Sequence, residues 1–329
     1  MNRRIKSWRF VCAVLSPAAD AAKISRSRNN IEMVERLWPD VFRFTDAHLV
    51  TPAFFAALTE KGLIADVPNE PQQYMSTIYE LNARRNRCLL TQLDEAIGAL
   101  NSCGIVPVLL KGASYLKERI YKDPATRIFY DLDLLIAEAE IPVALERLKE
   151  IGYHAPQGGW DYTLHRHAPP MFRPGEYGSI ELHRSCVPKN LEHILQAEAV
   201  WIASAERKGE GLLYRVLSPT HMVMVSFLHS QVIDRFGETY TIGLRPLLDL
   251  LAMDSATGAA IQWDEIYVRL TESDLQNRLR DYLFIAHRMS EFRVPEIRFG
   301  GREWAHYGLG VGRIRWPKIQ RLINRLPQV

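Results

Sequence analysis

The stretch "VLLKGASYLKERIYKDPATRIFYDLDLLI", residues 108–136, decides how this chain folds. A hydrophobic run ends in Lys111-Gly112, a short basic segment follows, and Asp131 and Asp133 then interrupt a second hydrophobic run. In a β-strand alternate side chains share a face, and residues two apart lie about 6.6 Å from each other. Leu132 and Leu134 therefore belong to a buried face, and Asp131 and Asp133 point together to the other. Two carboxylates side by side repel each other and lose hydration at a sheet surface. A cation between them reverses that cost, and Mg²⁺ prefers one or two carboxylates together with phosphate oxygens. The pair is read as a metal site; the plain alternative is a solvated edge strand.

A third acid lies in "SIELHR", residues 179–184, where Glu181 and His183 share one face and Ile180 and Leu182 the other. If this strand neighbours the Asp131/Asp133 strand, Glu181 either joins the metal site or acts as base for an acceptor hydroxyl. Upstream, Gly112 follows an apolar strand and precedes a helical stretch. A glycine there lets backbone N–H groups approach an anion, which the helix start favours. Lys111, Ser114 and Arg127 are candidate contacts to a triphosphate, although Arg127 could instead pair with a structural carboxylate. The pattern is neither GxxxxGK[ST] nor GxGxxG, so neither of those cradles is expected.

His165, His167 and His183 lack the spacing of zinc sites and are taken as candidate acceptor contacts. His229, on an apolar helix, is read as a core or interface histidine, and Asp249 in "LRPLLDLL" as a hydrogen-bonder between helices.

Composition frames these motifs. A hydrophobic fraction of 47% and a charged fraction of 24% describe an ordinary globular chain. A net charge of +3 suits an acidic ligand but is far from a nucleic-acid coat. No basic stripe interleaved with aromatics precedes the C-terminal tail, so no nucleic-acid partner is expected. The four scattered cysteines, without a CxxC pair, read as reduced thiols and favour a cytoplasmic location. No apolar run reaches 18 residues, so no membrane span is expected. The N-terminal stretch, broken by Arg9 and Pro17, fits a short amphipathic helix better than a leader.

Along the chain, residues 1–100 carry helical spacing, most clearly in "QQYMSTIYELNARRNRCLLTQLDEAIGALNSCG", where Met75, Ile78, Tyr79, Asn82, Leu89, Leu93 and Ile97 trace one face. Residues 101–205 hold three short apolar runs, "IVPVLL", "FYDLDLLIA" and "SIELHR", with the helix "EIPVALERLKEIGY" between the last two. The stretches "HAPQGGWDY" and "HAPPMFRPGEYG" read as turns. Residues 206–329 return to helices, one opened by Ser218 before Pro219, and end in a basic, Gly-rich tail.

Taken in order, "LLKGAS", the "DPATRIFYDLDLLI" block and "IELHRS" resemble the uncharacterised bacterial nucleotidyltransferase-like family within the DNA polymerase β-type superfamily. That family typically carries "LLKGA", "R-x-x-x-D-[LI]-D-L-L" and "ELHW". The segments "FLHSQ", "LRPLLDLLAM" and "IQWDEI" also look familial, so the resemblance covers about residues 35 to 295. It implies an α+β fold, a nucleotidyltransferase palm with a small mixed β-sheet at 101–205, flanked by helical regions at 1–100 and 206–329.

It further implies Asp131, Asp133 and Glu181 as catalytic metal ligands for Mg²⁺ or Mn²⁺, and Lys111, Gly112, Ala113 and Ser114 as the nucleotide-binding turn. The expected reaction moves an NMP from an NTP, ATP first, to a hydroxyl or phosphate of a small molecule or peptide, with pyrophosphate leaving. Such proteins are often associated with bacterial natural product or surface polysaccharide clusters. Two departures stand out: Ala113 sits where glycine or serine is usual, with Ser114 one place late, and Arg184 replaces the aromatic after Glu-Leu-His. The alternatives are a non-catalytic nucleotide- or partner-binding module on a degenerate palm, and an NTP-dependent phosphotransferase.

Overall fold

The computed structural model describes residues 2–20, 24, 34–156, 158, 160, 165–292 and 297–316. Parts of the turn-rich stretch at 157–164 and the end of the basic tail lie outside the described residues. The chain runs α1 (Arg3–Leu15), α2 (Val34–Ala47), α3 (Thr51–Glu60), α4 (Asn69–Ser102), β1 (Val108–Leu109), α5 (Lys111–Lys117), β2 (Asp131–Leu135), α6 (Ile141–Glu150) and β3 (Ser179–His183). It continues with α7 (Ala197–Ala203), β4 (Ala205–Gly209), β5 (Leu212–Val216), α8 (Pro219–Phe227), α9 (Leu244–Thr257), α10 (Trp263–Thr271), α11 (Gln276–Ser290) and α12 (Gly301–Arg315).

Among the described residues five strands form one mixed sheet in the order β3-β2-β1-β5-β4. β2 runs parallel to β3 and antiparallel to β1, β1 runs parallel to β5, and β4 and β5 form an antiparallel hairpin. Helices around such a mixed sheet give the α+β architecture that the sequence implies. The hairpin lies beyond residue 204, in a stretch whose sequence reads as helical, so the sheet extends further than the apolar runs indicate.

Two cores sit on opposite sides of the sheet. On one side Leu109, Leu132, Leu134, Ile180 and Leu182 pack on the C-terminal half of α4 and on α6. On the other, N-terminal and C-terminal helices share a single core built from residues such as Trp8, Val11, Phe54, Met224, Leu250 and Leu283. Helices α1 and α12 meet there: Arg4 Nε donates to the Ile314 carbonyl at 3.1 Å.

The helix boundaries have local causes. Pro52 occupies the first turn of α3, Gly104 takes a φ of +81° just past α4, and the Ser218 side chain accepts the His221 N–H to cap α8.

Helix α4 is the template for the palm. Its buried face carries apolar Met75, Leu89, Leu93 and Ile97, and also polar Asn82, Asn86 and Gln92. Asn82 Nδ2 donates to the Ala125 and Arg127 carbonyls at 2.6 and 3.1 Å, and Asn86 Nδ2 to Pro124 and Arg127 at 2.7 and 2.8 Å. Gln92 Nε2 donates to the Gly178 carbonyl at 2.7 Å. These amides satisfy the backbone of the two segments that feed β2 and β3, where unpaired carbonyls would be costly. Gly178 is required by the closeness: a Cβ there would lie 2.7 Å from Leu89 Cδ2 and 3.0 Å from the Tyr130 carbonyl oxygen.

Candidate active site

Register decides the site. Asp133 on β2 stands directly beside Glu181 on β3, and Leu135 beside His183. With Leu132, Leu134, Ile180 and Leu182 in the core against α4, the alternating positions Asp131, Asp133, Glu181 and His183 share the opposite face. One ligand atom each from Asp133, Glu181 and His183 lies within 4.8 Å of the others. Asp131, at the mouth of the strand, lines an adjoining cleft.

Asp133 is fully buried and doubly anchored through one oxygen. Lys111 Nζ donates to Oδ1 at 2.9 Å, and His183 Nε2 lies 2.7 Å from the same atom. A carboxylate only accepts, so Nε2 carries the proton and His183 orients the acid. Burial pushes the Asp133 carboxyl up, but Lys111 and His183 outweigh it and hold the group well below the usual carboxylate range.

Glu181 follows the same logic. Burial raises it, the His183 ring 3.5 Å away and His167 at 3.8 Å lower it, and the net direction is down. Asp131 goes the other way: burial first, then the neighbouring Asp133 charge, raise it. Three acids on one face thus carry unequal proton affinities, the arrangement expected where charge is managed for function.

Asp133 Oδ2 is buried and has no hydrogen-bond partner among the described residues. An orphaned carboxylate oxygen at full burial is costly unless something with positive charge meets it. The set around it, one free carboxylate oxygen, a second carboxylate and a third at the mouth, is hard oxygen chemistry that suits a divalent cation.

The turn after β1 meets this face. Lys111 adopts a φ of +42°, a left-handed conformation that costs a lysine about 1–3 kcal/mol and brings its ammonium onto Asp133. Gly112 is needed because a Cβ there would lie 2.9 Å from Phe129 Cδ1. Lys111 and Gly112 line the cleft. Ala113 packs in the core under the sheet, and the Ser114 hydroxyl is buried without a hydrogen-bond partner among the described residues.

Arg127 also lines the cleft, held by Asp249 through Nε–Oδ1 at 2.7 Å and Nη2–Oδ2 at 3.0 Å. Tyr121 donates to the same carboxylate. Asp249 therefore fixes Arg127 across the boundary between palm and C-terminal helices.

His165 and His167 stand on the other flank. His165 stacks on Trp160 with centroids 4.1 Å apart, and His167 faces His183 at 5.0 Å. Together with Glu138, Arg166 and Arg184 they line a second cavity of about 350 Å³. The acids thus lie between two cavities.

Sequence reading missed one wall of the first. His229 belongs to a π-helical turn, Leu228–Ile233, that continues α8, and it lines the cleft with Ser226, Ser230, Asp234 and Arg245. Such turns often mark functional positions, but nothing in the apolar spacing around "FLHSQ" announces one.

A family model described as uncharacterised nucleotidyltransferase matches residues 35–291. The chain belongs to that family. The match covers most of the chain and nearly the whole span over which the motifs carry the resemblance. Comparison with curated proteins and with solved structures returned no match. Family membership implies a nucleotide substrate, and the Asp133/Glu181/His183 group is one that could hold a metal ion. Among the described residues no helix is long and apolar enough to cross a membrane.

Proposed function

We propose that the chain transfers an NMP from an NTP, ATP foremost, to a hydroxyl or phosphate of a small molecule or peptide and releases pyrophosphate. The observation that carries this reading is the buried, partnerless Oδ2 of Asp133 beside Glu181, with Asp131 at the mouth of the same face. Asp131, Asp133 and Glu181 would hold Mg²⁺ or Mn²⁺, with His183 orienting Asp133. When bound, the ion neutralises phosphate charge and favours ionisation of the attacking hydroxyl.

The protein's own groups do the rest. Lys111, already charged beside the acids, sets a positive wall next to Asp131 for the donor's phosphates. Glu181, held below its usual range, stays ionised at neutral pH, and either completes the metal site or accepts the proton of an acceptor hydroxyl arriving from the His165/His167 cavity. Placing donor and acceptor in cavities on opposite flanks of the same acids favours in-line attack on the α-phosphorus. Catalysis is then positioning and charge neutralisation.

The test is incubation with Mg²⁺, a metabolite extract and NTP labelled at the α- or the γ-phosphate. Label from the α position on a product supports nucleotidyl transfer. Label from γ assigns a phosphotransferase, and bound but unconsumed NTP assigns a nucleotide-binding module.

A further inference from the structure

The first cavity, about 100 Å³ and partly open to solvent, is walled on one side by the palm and on the other by α8, its π-helical turn and α9. Its charged groups are unequally committed. Lys111 neutralises Asp133 at 2.9 Å, and Arg127 is spent on Asp249 through two bonds. His229 Nδ1 lies 3.2 Å from Asp234 Oδ2. Arg245, by contrast, has no hydrogen bond and no ion pair among the described residues, although it lines the cavity, half-buried, beside Pro246 in the first turn of α9.

A guanidinium partly withdrawn from water without a fixed acceptor has donors to offer a ligand, and none of its nitrogens is sealed from the cavity. Burial and the neighbouring Arg127 guanidinium push it below its usual range, with Asp249, Asp131 and Asp234 only partly compensating. It is short of negative charge. Ser226, Ser230 and His229 line the same cavity and add hydrogen-bonding capacity to the wall.

We propose that Arg245, with His229 and Ser230 of the π-helical turn, binds the β- and γ-phosphates of the donor nucleotide, the part that leaves as pyrophosphate. The proposal rests on the nucleotidyl-transfer reading for the identity of the anion, and it makes the C-terminal helices half of the donor site. Arginine suits this position: its planar fork meets two phosphate oxygens at once and stays charged as negative charge grows on the leaving group. Asp131 lines the same cavity, so a polyphosphate seated on Arg245 reaches the acids without leaving it. Anchoring through helices that share their core with the N-terminal layer also makes nucleotide binding sensitive to how that layer docks.

Direct binding tests this without knowledge of the acceptor. Calorimetry of the full chain with Mg·ATP, with inorganic tripolyphosphate and with AMP should show Arg245→Gln weakening the first two by about 10- to 100-fold, the range for a lost charge-assisted bond pair, and leaving AMP unchanged. Arg245→Lys should recover part of the loss, and His229→Gln should give a smaller loss of the same pattern. A melting curve like that of the unsubstituted chain excludes misfolding; should Arg245→Gln melt early, His229→Gln and Arg245→Lys carry the test.

Equal Mg·ATP and tripolyphosphate affinity in all three variants would overturn the assignment. Equal losses for ATP and AMP would also overturn it, since they place Arg245 at the α-phosphate or nucleoside. If tripolyphosphate binding depends on Arg245 while no α-label ever moves, the anion site stands and the transfer reading falls.

Discussion

Strands β2 and β3 present one backbone to two environments. On the face toward α4, Leu132, Leu134, Ile180 and Leu182 are wholly buried among apolar side chains. On the other face Asp133 and His183 are just as buried, yet they are bound by charge and hydrogen bonds, and one carboxylate oxygen is left over. The apolar face lowers the free energy of the fold at every position. The polar face holds desolvated like charges that an apolar replacement would relieve, so its residues are there for what they bind. The two faces should therefore answer mutation in opposite ways: one loses the fold and keeps the chemistry, the other does the reverse.

The largest effect is expected at Asp133. Asp133→Asn keeps shape and both anchoring contacts but removes the charge, and should lower transfer by about 1,000-fold, comparable to the loss of a central electrostatic group in other active sites. Lys111 is 18% exposed and can reach water, so the fold should persist. Initial rates of pyrophosphate release, read beside circular dichroism, check both. Activity above a tenth of the original would break the distinction between the faces.

One residue along, Leu134→Ala on the apolar face should cost about 3 kcal/mol of stability, as large-to-small changes in cores do. The turnover of the protein that remains folded at low temperature should hardly change. Denaturant titration with parallel rate measurements decides this; a variant of normal stability and poor turnover would mean that the two faces are coupled more tightly than the packing indicates.

A sharper contrast comes from Asp131, whose carboxyl is raised by burial and by the charge of Asp133. Removing that charge in metal-free protein should relieve repulsion, so Asp131→Asn should raise stability by up to about 1 kcal/mol while lowering activity. Added Mg²⁺ should stabilise the unsubstituted chain more than the variant. If Asp131→Asn melts lower than the parent without metal, the acid is a structural partner and the face is less strained than described.

Much of this was legible in the chain because two-residue periodicity survives folding. Alternation alone pairs Asp131 with Asp133 and Glu181 with His183, local chemistry marks the helix start at Ser218, and the β2–β3 register brings the two pairs onto one face. What was hidden depends on tertiary placement. The β4–β5 hairpin escaped because its outer strand, Ala205–Gly209, is exposed along its whole length and carries no apolar alternation. His183 was seen as a neighbour of Glu181, but its bond to Asp133 needed the β2–β3 register.

Arg245 and His229 reach the cleft from more than 90 residues downstream of β2, and nothing local distinguishes them from ordinary helix residues. Arg127 reads from its position as either a phosphate contact or the partner of a structural carboxylate; Asp249, 122 residues away, is that carboxylate, which only packing reveals.

The effect with no expected bearing on turnover lies far from the strands and separates the helical layer from the palm. His48 sits between Trp8, with rings 5.6 Å apart, and the Leu244 N–H, which donates to its Nδ1 at 3.5 Å. Burial lowers its pKa from 6.5 to about 4. Between those values the unfolded chain binds a proton that the folded chain refuses, so stability is full above pH 6.5 and falls as pH drops toward 4. Protonation would also turn an acceptor into a donor facing the Leu244 N–H.

Melting temperature should therefore decline between pH 6.5 and 5, and His48→Gln should flatten that decline. Over the same interval Asp133 stays ionised, and His167, which burial also lowers, is the palm's own source of acid sensitivity, so His48→Gln should remove only the share that belongs to the helical layer. A variant whose melting profile follows the parent's would place the acid sensitivity elsewhere and leave the helical layer as robust as the sheet it covers.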